Sequence, residues 1–202
     1  MQKFGIISII LLVIVIIEAG IIFCTVSNSK SAIDIIKERK SVRHFVENKQ
    51  VQDKDIKIML DAAMAAPSAA NKQPWEFIVI KNRETLDKVA MDLPFGKFLK
   101  FAPLAIIVAG NMNRTLPDIE RDYWVQDASA ATENLLLAAE ALGLGAVWTG
   151  VYPVPERVEA LSKTLSLPEN IIPLNVVIIG YPTGVDKAKN KYNEQYIHFE
   201  KF

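Results

Sequence analysis

Two long apolar runs constrain the fold of this chain more than any other feature of its sequence. They are PLAIIVAG at 103–110 and PLNVVIIG at 173–180. A strand that is apolar on both faces needs cover on both sides, so we predict that the first run is a central strand of a sheet. Two shorter runs, WEFIVI at 75–80 and GAVWTG at 145–150, are predicted to be further strands.

Helical patterns alternate with these strands. We predict that Ser31 caps a short helix, that Asp53 caps another, and that Gly143 ends a long helix at roughly 122–142. Two further helices are predicted, around 84–91 and from Pro155 onward. The alternation of helices with strands predicts an α/β or α+β class, in which helices cover both faces of one sheet.

The first 30 residues have a different composition. Between Phe4 and Val26 the only charged residue is Glu18. As a helix, this run would rise roughly 34 Å, enough to cross a hydrocarbon core of about 30 Å. For residues 1–30 we therefore predict a transmembrane anchor, with a cleaved signal segment as the alternative, and for 31–202 a folded domain. Basic residues after the run predict a single-pass membrane protein whose domain lies in the cytoplasm.

Charge and composition argue against several classes of function. The chain carries 23 basic and 23 acidic residues, so it lacks the net positive charge typical of a nucleic-acid-binding protein. Neither a G-x-S-x-G nor a Walker A motif is present, and no spacing of cysteine and histidine is typical of a metal site. Only two histidines and one cysteine are available for catalysis. An enzyme so poor in acid–base groups usually takes its chemistry from a cofactor.

Cations cluster at two places in the domain. The segment ERKSVRHF carries three basic side chains and a hydroxyl, namely Arg39, Lys40, Arg43 and Ser41. If the helix continues, Arg39 and Arg43 share a face and could clamp one dianion. Lys189 and Lys191 form a second candidate phosphate pair. The alternatives are that cations near a helix C terminus interact with its dipole, and that the lysines belong to a solvated tail.

The segment PSAANKQP at 67–74 combines small residues with two side-chain amides. Small side chains allow the backbone to approach a ligand, and Asn71 and Gln73 each offer donors and acceptors. This combination suits the hydrogen-bonding edge of a flavin, and the alternative is an ordinary loop between helix and strand. The segment WTG at 148–150 offers an aromatic wall and a small residue near a flavin N5, or is simply a strand end.

In order, four segments of the chain resemble the nitroreductase family of FMN-dependent oxidoreductases. They are IKERKSVRHF, LDAAMAAPSAANKQPWEFIVI, DASAATENLLLAAEALGLGAVWTG and IIGYPTG, followed by a basic, aromatic C-terminal region. Lys40 stands where the family usually has a second arginine. The resemblance covers 31–202 and implies a central mixed sheet flanked by helices.

The resemblance also implies which residues bind FMN. Its phosphate and ribityl end would be held by Arg39, Lys40, Ser41, Arg43, Lys189 and Lys191. Its ring would be lined by Pro67, Ser68, Ala69, Asn71 and Gln73. Near the flavin N5 would lie Trp148, Thr149 and Gly150.

Family members are usually homodimers with FMN at the interface, to which both chains contribute. The implied reaction is ping-pong, because NADH or NADPH reduces the flavin before a nitroaromatic, quinone or similar small-molecule acceptor oxidises it. One alternative is a reductive dehalogenase or flavin-fragmenting enzyme with substrate-binding charges in NRTLPDIERDYW at 113–124. Another is a non-catalytic, membrane-tethered flavin-binding protein.

Four aromatic residues have two possible positions. They could form a lid over the substrate or belong to the core: Phe95, Phe98, Tyr123 and Trp124.

Overall fold

The computed structural model describes residues 30–94 and 96–202. By its contacts the chain divides into Met1–Asp34 and Ile35–Phe202. The second unit contains four strands: β1 (Trp75–Ile80), β2 (Leu104–Asn111), β3 (Gly145–Gly150) and β4 (Ile171–Gly180). They form one sheet in the order β1-β2-β4-β3, and each neighbouring pair is antiparallel.

The predicted mixed sheet is therefore corrected to an antiparallel one. The described parallel pairing is limited to an isolated bridge between Ser41 and Ala146, beside β3. The strand patterns located the strands, but the direction of each pairing depends on how the connecting helices return the chain.

Five helices accompany the sheet in the described residues. They are α1 (Ala32–Glu38), α2 (Asp53–Met64), α3 (Arg83–Met91), α4 (Tyr123–Ala141) and α5 (Pro155–Leu165). The observed fold is thus α+β, within the predicted class.

Strand β2 is covered on both faces. Leu104, Ile106 and Val108 belong to a core built with α2 and α4, whereas Ala105 and Ile107 belong to a second core with α3 and α5. Since successive strand residues point to opposite faces, an apolar residue at each position supplies both cores. The prediction of a central strand at 103–110 is confirmed.

Helix ends follow the sequence signals in two of three cases. Ser31 Oγ accepts a hydrogen bond from Asp34 N at 3.2 Å, and Ser31 N donates to the Asp34 carboxylate at 3.2 Å, which caps α1 reciprocally. Gly143 follows α4 with φ of +71°, as expected for a residue just beyond a helix end. The prediction for Asp53 is wrong: Gln52 is the N-cap, and the Asp53 carboxylate contacts Lys81 Nζ at 2.6 Å.

A bulge in β4 fixes the chain just after β3. The Leu174 carbonyl accepts hydrogen bonds from Val151 N at 3.1 Å and Tyr152 N at 3.0 Å. The next residue, Asn175, is fully buried and donates through Nδ2 to Thr132 Oγ1 on α4 at 3.0 Å. The chain just after β3 is therefore held by β4, which is itself joined to α4.

The predicted membrane localisation is corrected. Within 30–94 and 96–202, every helix is too short or too polar to cross a lipid bilayer. The run from Phe4 to Val26 lies outside the described residues, and the predicted domain boundary at residue 30 stays a prediction.

Candidate functional site

A groove of about 670 Å³ brings together cations that are far apart in sequence. Arg39 lines it just beyond the end of α1, and Lys189 and Lys191 line it from the C-terminal segment. Like charges around one space repel each other, so such a space favours an anion. Arg39 of the first predicted cluster therefore meets both lysines of the second at this groove, which we name the cation groove.

Arg39 is incompletely paired in the cation groove. Its Nε lies 3.0 Å from Glu133 Oε1 on α4, and the Arg39 side chain is 19% exposed. This contact lacks hydrogen-bond geometry, and the buried Nε has no hydrogen-bond partner among the described residues. Arg39, Lys189 and Lys191 supply N–H donors to this space, and phosphate oxygens are acceptors that suit such donors. The donor set of the cation groove therefore fits the phosphate end of FMN.

The other residues of the first motif are placed differently. Lys40 Nζ lies 3.1 and 3.3 Å from the two carboxylate oxygens of Glu140 on α4. Ser41 forms the parallel bridge to Ala146, and the Arg43 guanidinium stands 5.7 Å from the centre of the Phe98 ring. None of these three residues lines the cation groove. The structure thus separates Arg39 from its sequence neighbours.

Asp186 was not singled out by the sequence, yet it touches the first motif. Its Oδ2 accepts hydrogen bonds from Arg43 N at 3.0 Å and His44 N at 3.2 Å, and it also lies 3.2 Å from His44 Nδ1. Burial raises the pKa of Asp186, but the hydrogen bonds from Arg43 and His44 outweigh this effect and hold the pKa below its usual value. One aspartate in a polar tail gives no sequence pattern from which these contacts could be found.

The predicted ring-binding loop at 67–73 has a constrained backbone. Ala70, Asn71 and Gln73 have φ values of +46°, +55° and +48°. The left-handed region costs an alanine about 1–2 kcal/mol. Such a conformation persists only where surrounding contacts determine it.

Three hydrogen bonds hold this loop. Ala69 N donates to Asp127 Oδ1 at 2.8 Å, Gln73 N donates to Ser68 Oγ at 2.9 Å, and Gln73 Nε2 donates to Asn71 Oδ1 at 3.0 Å. Asp127 lies on α4 and is only 6% exposed. It too was missed, although a carboxylate in the apolar stretch QDASAA is a signal that could have drawn attention to it. Pro67 is exposed at the start of the loop.

The end of β3 has an open position. Thr149 is buried, Trp148 is partly exposed, and a Cβ added at Gly150 would meet no atom within 4 Å. The Gly150 carbonyl accepts a hydrogen bond from Arg157 Nη1 at 3.3 Å. The space beside the backbone at Gly150 is therefore open to a planar ligand.

Within the described residues, the cations of the cation groove and the loop at 67–73 line different grooves. The cation groove contains no residue of the loop at 67–73. Gln73 instead lines a second groove of about 330 Å³, together with Met64, Phe77 and Arg114. In these two described grooves, the predicted phosphate-binding residues and Gln73 of the predicted ring-binding loop are separate.

The four aromatic residues divide between core and surface. Trp124 is buried and meets Tyr152 edge-on at a centroid distance of 5.0 Å, so the core alternative holds for it. Phe98 packs partly buried against the core, and Tyr123 is exposed. Phe95 lies outside the described residues.

Comparison with known proteins decides the family. A family model described as Nitroreductase family matches residues 36–94 and 90–181. The chain belongs to the nitroreductase family. The family membership predicted from the sequence is confirmed.

Three similar proteins have names or ligands that are relevant to the chemistry of this nitroreductase-family chain. A protein of Methanothermobacter thermautotrophicus with the provisional name NADH dehydrogenase/NAD(P)H nitroreductase is 44% identical, over 84% of this chain and 87% of its own. A provisionally named nitroreductase of Desulfovibrio desulfuricans, solved in complex with FMN, is 28% identical over 86% of this chain and 98% of its own, with a TM-score of 0.73. Iodotyrosine deiodinase of Haliscomenobacter hydrossis is 30% identical over 77% of this chain and 81% of its own.

Proposed function

We propose that this nitroreductase-family protein is an FMN-dependent oxidoreductase that takes hydride from NADH or NADPH and reduces a small-molecule acceptor. The observation that carries the proposal is the cation groove, where Arg39 from the first motif lines the same space as Lys189 and Lys191. The FMN-bound relative and the NAD(P)H nitroreductase name of another relative support the same chemistry.

In this proposal the cation groove holds the phosphate of FMN. Arg39, Lys189 and Lys191 contact the phosphate, and Ser41 and Arg43 serve the adjacent ribityl end. Lys40 stays a predicted FMN contact, and we propose a further role for it because its ammonium group is paired with Glu140. We assign Lys40 to fixing the first motif on α4.

The ring of FMN is proposed to lie on the loop and the end of β3. Pro67, Ser68 and Ala69 present small groups and backbone, while Asn71 and Gln73 present amides to the heteroatoms of the ring. Trp148, Thr149 and Gly150 are proposed to lie near N5, where the absence of a side chain at Gly150 leaves access.

We propose that two copies of the chain complete each site. The cation groove and the loop at 67–73 line different spaces within one chain, so a second copy would supply the missing part. The C-terminal segment also exposes aromatic side chains that a partner would cover, such as Tyr196 and Phe199.

Bound FMN would supply a group that accepts and returns a hydride. The residues of this chain would orient it, and their N–H donors would stabilise negative charge on the ring. A nitroaromatic compound or a quinone is the proposed acceptor class, because either accepts hydride from a reduced flavin without a positioned side-chain acid.

Reductive dehalogenation is a second candidate, favoured by the identity to iodotyrosine deiodinase. The segment at 113–124 was its predicted source of substrate-binding charge. Arg114 in that segment is already engaged, because its Nη2 donates to the Trp75 carbonyl at 2.7 Å and to Glu76 Oε1 at 2.6 Å. The oxidoreductase proposal therefore stands first.

A charge reversal at Arg39 tests the phosphate assignment. We expect purified wild-type protein to carry FMN and to lose its yellow colour when NADH or NADPH is added without oxygen. Arg39→Glu protein should lose the flavin, because a carboxylate would face the phosphate. The control is Arg121→Glu, the same change at an exposed arginine outside the groove.

The readout is the flavin absorbance per protein chain after gel filtration. Arg39→Glu protein with one flavin per chain would contradict the assignment. Wild-type flavin that stays oxidised under anaerobic NADH and NADPH would instead identify a flavin-binding protein without this activity.

A further inference from the structure

The first motif and the C-terminal segment are paired along their backbones. Val46 N donates to the Tyr181 carbonyl at 2.8 Å, and Thr183 N donates to the His44 carbonyl at 3.1 Å. Gly184 follows with φ of +87°, a conformation that suits glycine, and the chain then turns back toward the first motif. After this turn, Asp186 comes back into contact with the first motif.

At this point the hydrogen bonds from the first motif are accepted by the Asp186 side chain and not by a backbone carbonyl. Its Oδ2 accepts from the N–H groups of both Arg43 and His44, and its side chain is only 15% exposed. The lysines that line the cation groove, Lys189 and Lys191, come three and five residues later in the chain. Along the chain, Asp186 therefore makes its contact with the first motif just before the residues that line the groove.

We propose that Asp186 is a positioning residue for the anionic end of the ligand in the cation groove. By holding Arg43 N and His44 N, it fixes the segment that carries Lys189 and Lys191 against the segment that carries Arg39. Asp186 does not itself bind the ligand, because its charge would repel an anion. This inference rests on the proposed function, since it assumes that the cation groove takes the phosphate of FMN.

Charge and position predict opposite effects when Asp186 is changed. Removing a negative charge from the segment that carries Lys189 and Lys191 would strengthen the binding of an anion if charge alone mattered. Removing the acceptor would release the lysine segment and weaken binding if position matters. Asp186→Ala removes both charge and acceptor, whereas Asp186→Asn removes the charge but keeps an oxygen that can accept from Arg43 N and His44 N.

The experiment compares FMN with riboflavin, which lacks the phosphate. The full-length protein is loaded with each flavin, and the dissociation constant is measured from the recovery of flavin fluorescence on dilution. For Asp186→Ala we expect FMN binding to weaken about tenfold, as is typical for losing hydrogen bonds to a charged group, and riboflavin binding to change by less than about twofold. For Asp186→Asn we expect FMN binding within about threefold of wild type.

Glu194→Ala is the matched control, because it removes an exposed carboxylate from the same segment, and it should leave both constants unchanged. If Asp186→Ala does not fold, Gly184→Ala tests the same contact between Asp186 and the first motif. Alanine disfavours the φ of +87°, so the turn would no longer return Asp186 to Arg43, and FMN binding should weaken selectively.

The results distinguish this inference from the proposed function. A wild-type protein that binds riboflavin as tightly as FMN would overturn the phosphate assignment, and the role of Asp186 with it. A wild type that prefers FMN, with Asp186→Ala binding FMN equally well or more tightly, would overturn the role of Asp186 alone. Equal weakening of FMN and riboflavin would also overturn it, because the effect would not be specific to the anionic end.

Discussion

Two carboxylates, Asp127 and Asp186, accept hydrogen bonds from backbone N–H groups that are distant in sequence. Asp127 holds Ala69 N, and Asp186 holds Arg43 N and His44 N. A charge-assisted hydrogen bond in a partly buried place is stronger than a neutral one. Each carboxylate therefore fixes the backbone of a predicted cofactor-binding segment without belonging to that segment.

At the residue scale, the contacts of Asp186 predict how stability depends on pH. Burial raises its pKa, and the hydrogen bonds from Arg43 and His44 lower it further than burial raises it. A carboxyl whose pKa is lower in the folded state binds fewer protons there than in the unfolded chain. Its stabilising effect is therefore complete above the ordinary aspartate value of about 4 and is lost as the pH falls through the lowered value.

We accordingly expect the difference in unfolding free energy between wild type and Asp186→Ala to be constant from pH 7 to about 5 and to shrink below about pH 4. Urea unfolding at several pH values measures this difference. The comparison is repeated in His44→Ala protein, so that the imidazole beside Asp186 does not contribute. A difference that grows as the pH falls would contradict the assignment.

At the scale of secondary-structure elements, α4 contacts both predicted parts of the site. Asp127 near its start holds the loop at 67–73, Glu133 contacts Arg39, and Glu140 near its end pairs with Lys40. Glu133 and Glu140 are two helical turns apart, so they lie on the same side of the helix. One helix thus contacts both the first motif, at Arg39 and Lys40, and the loop at 67–73.

Asp127→Ala should loosen the loop at 67–73. Without the acceptor for Ala69 N, the left-handed conformations of the loop lose a contact that determines them. We expect trypsin to cut after the exposed Lys72 about tenfold faster, because local opening would cost less free energy. FMN binding should weaken in parallel.

Asp127→Asn is the control for this prediction, because its amide oxygen can still accept from Ala69 N. Cleavage is followed by mass spectrometry under native conditions. Equal rates at Lys72 in wild type and Asp127→Ala would show that the loop holds its conformation without Asp127.

At the scale of the whole molecule, apolar surface is concentrated in the C-terminal segment. Tyr192, Tyr196, Phe199 and Phe202 are each at least 70% exposed. Clustered exposed aromatic residues are typical of a surface that another chain covers. This exposure agrees with the proposed dimer, in which the cation groove of one copy and the loop at 67–73 of the other form each site.

Replacing Tyr196 and Phe199 together by serine should therefore weaken the dimer. Each buried aromatic side chain contributes about 1.5–3 kcal/mol, so the loss of two should raise the dimer dissociation constant more than about a hundredfold. Analytical ultracentrifugation measures the constant, and flavin absorbance at the same dilutions shows whether FMN leaves with the partner. Lys201→Ser is the control in the same segment.

A wild-type protein that is monomeric and carries FMN would contradict this prediction. In that case one chain would hold both parts of the site, and the two grooves would need to be joined by a movement within the chain.

The sequence predicted local structure well where the signal itself is local. The runs at 75–80 and 145–150 have the observed strand bounds, and the alternation of two cores along β2 follows from an apolar residue at each position. The motifs around Arg39 and at 67–73 were visible because small, amide and basic residues cluster there in a few consecutive positions. The family follows from those clusters.

Long-range geometry was decided only by the tertiary structure. The sheet is antiparallel rather than mixed, Lys40 is paired with Glu140, and Arg39 shares a groove with lysines 150 and more residues away. Asp127 and Asp186 acquire their roles only because folding places backbone N–H groups beside them. Steric preferences and periodicity act between neighbouring residues, so they can be predicted from the sequence. The direction of strand pairing and the partners of charged groups depend on which distant segments the folded chain brings together.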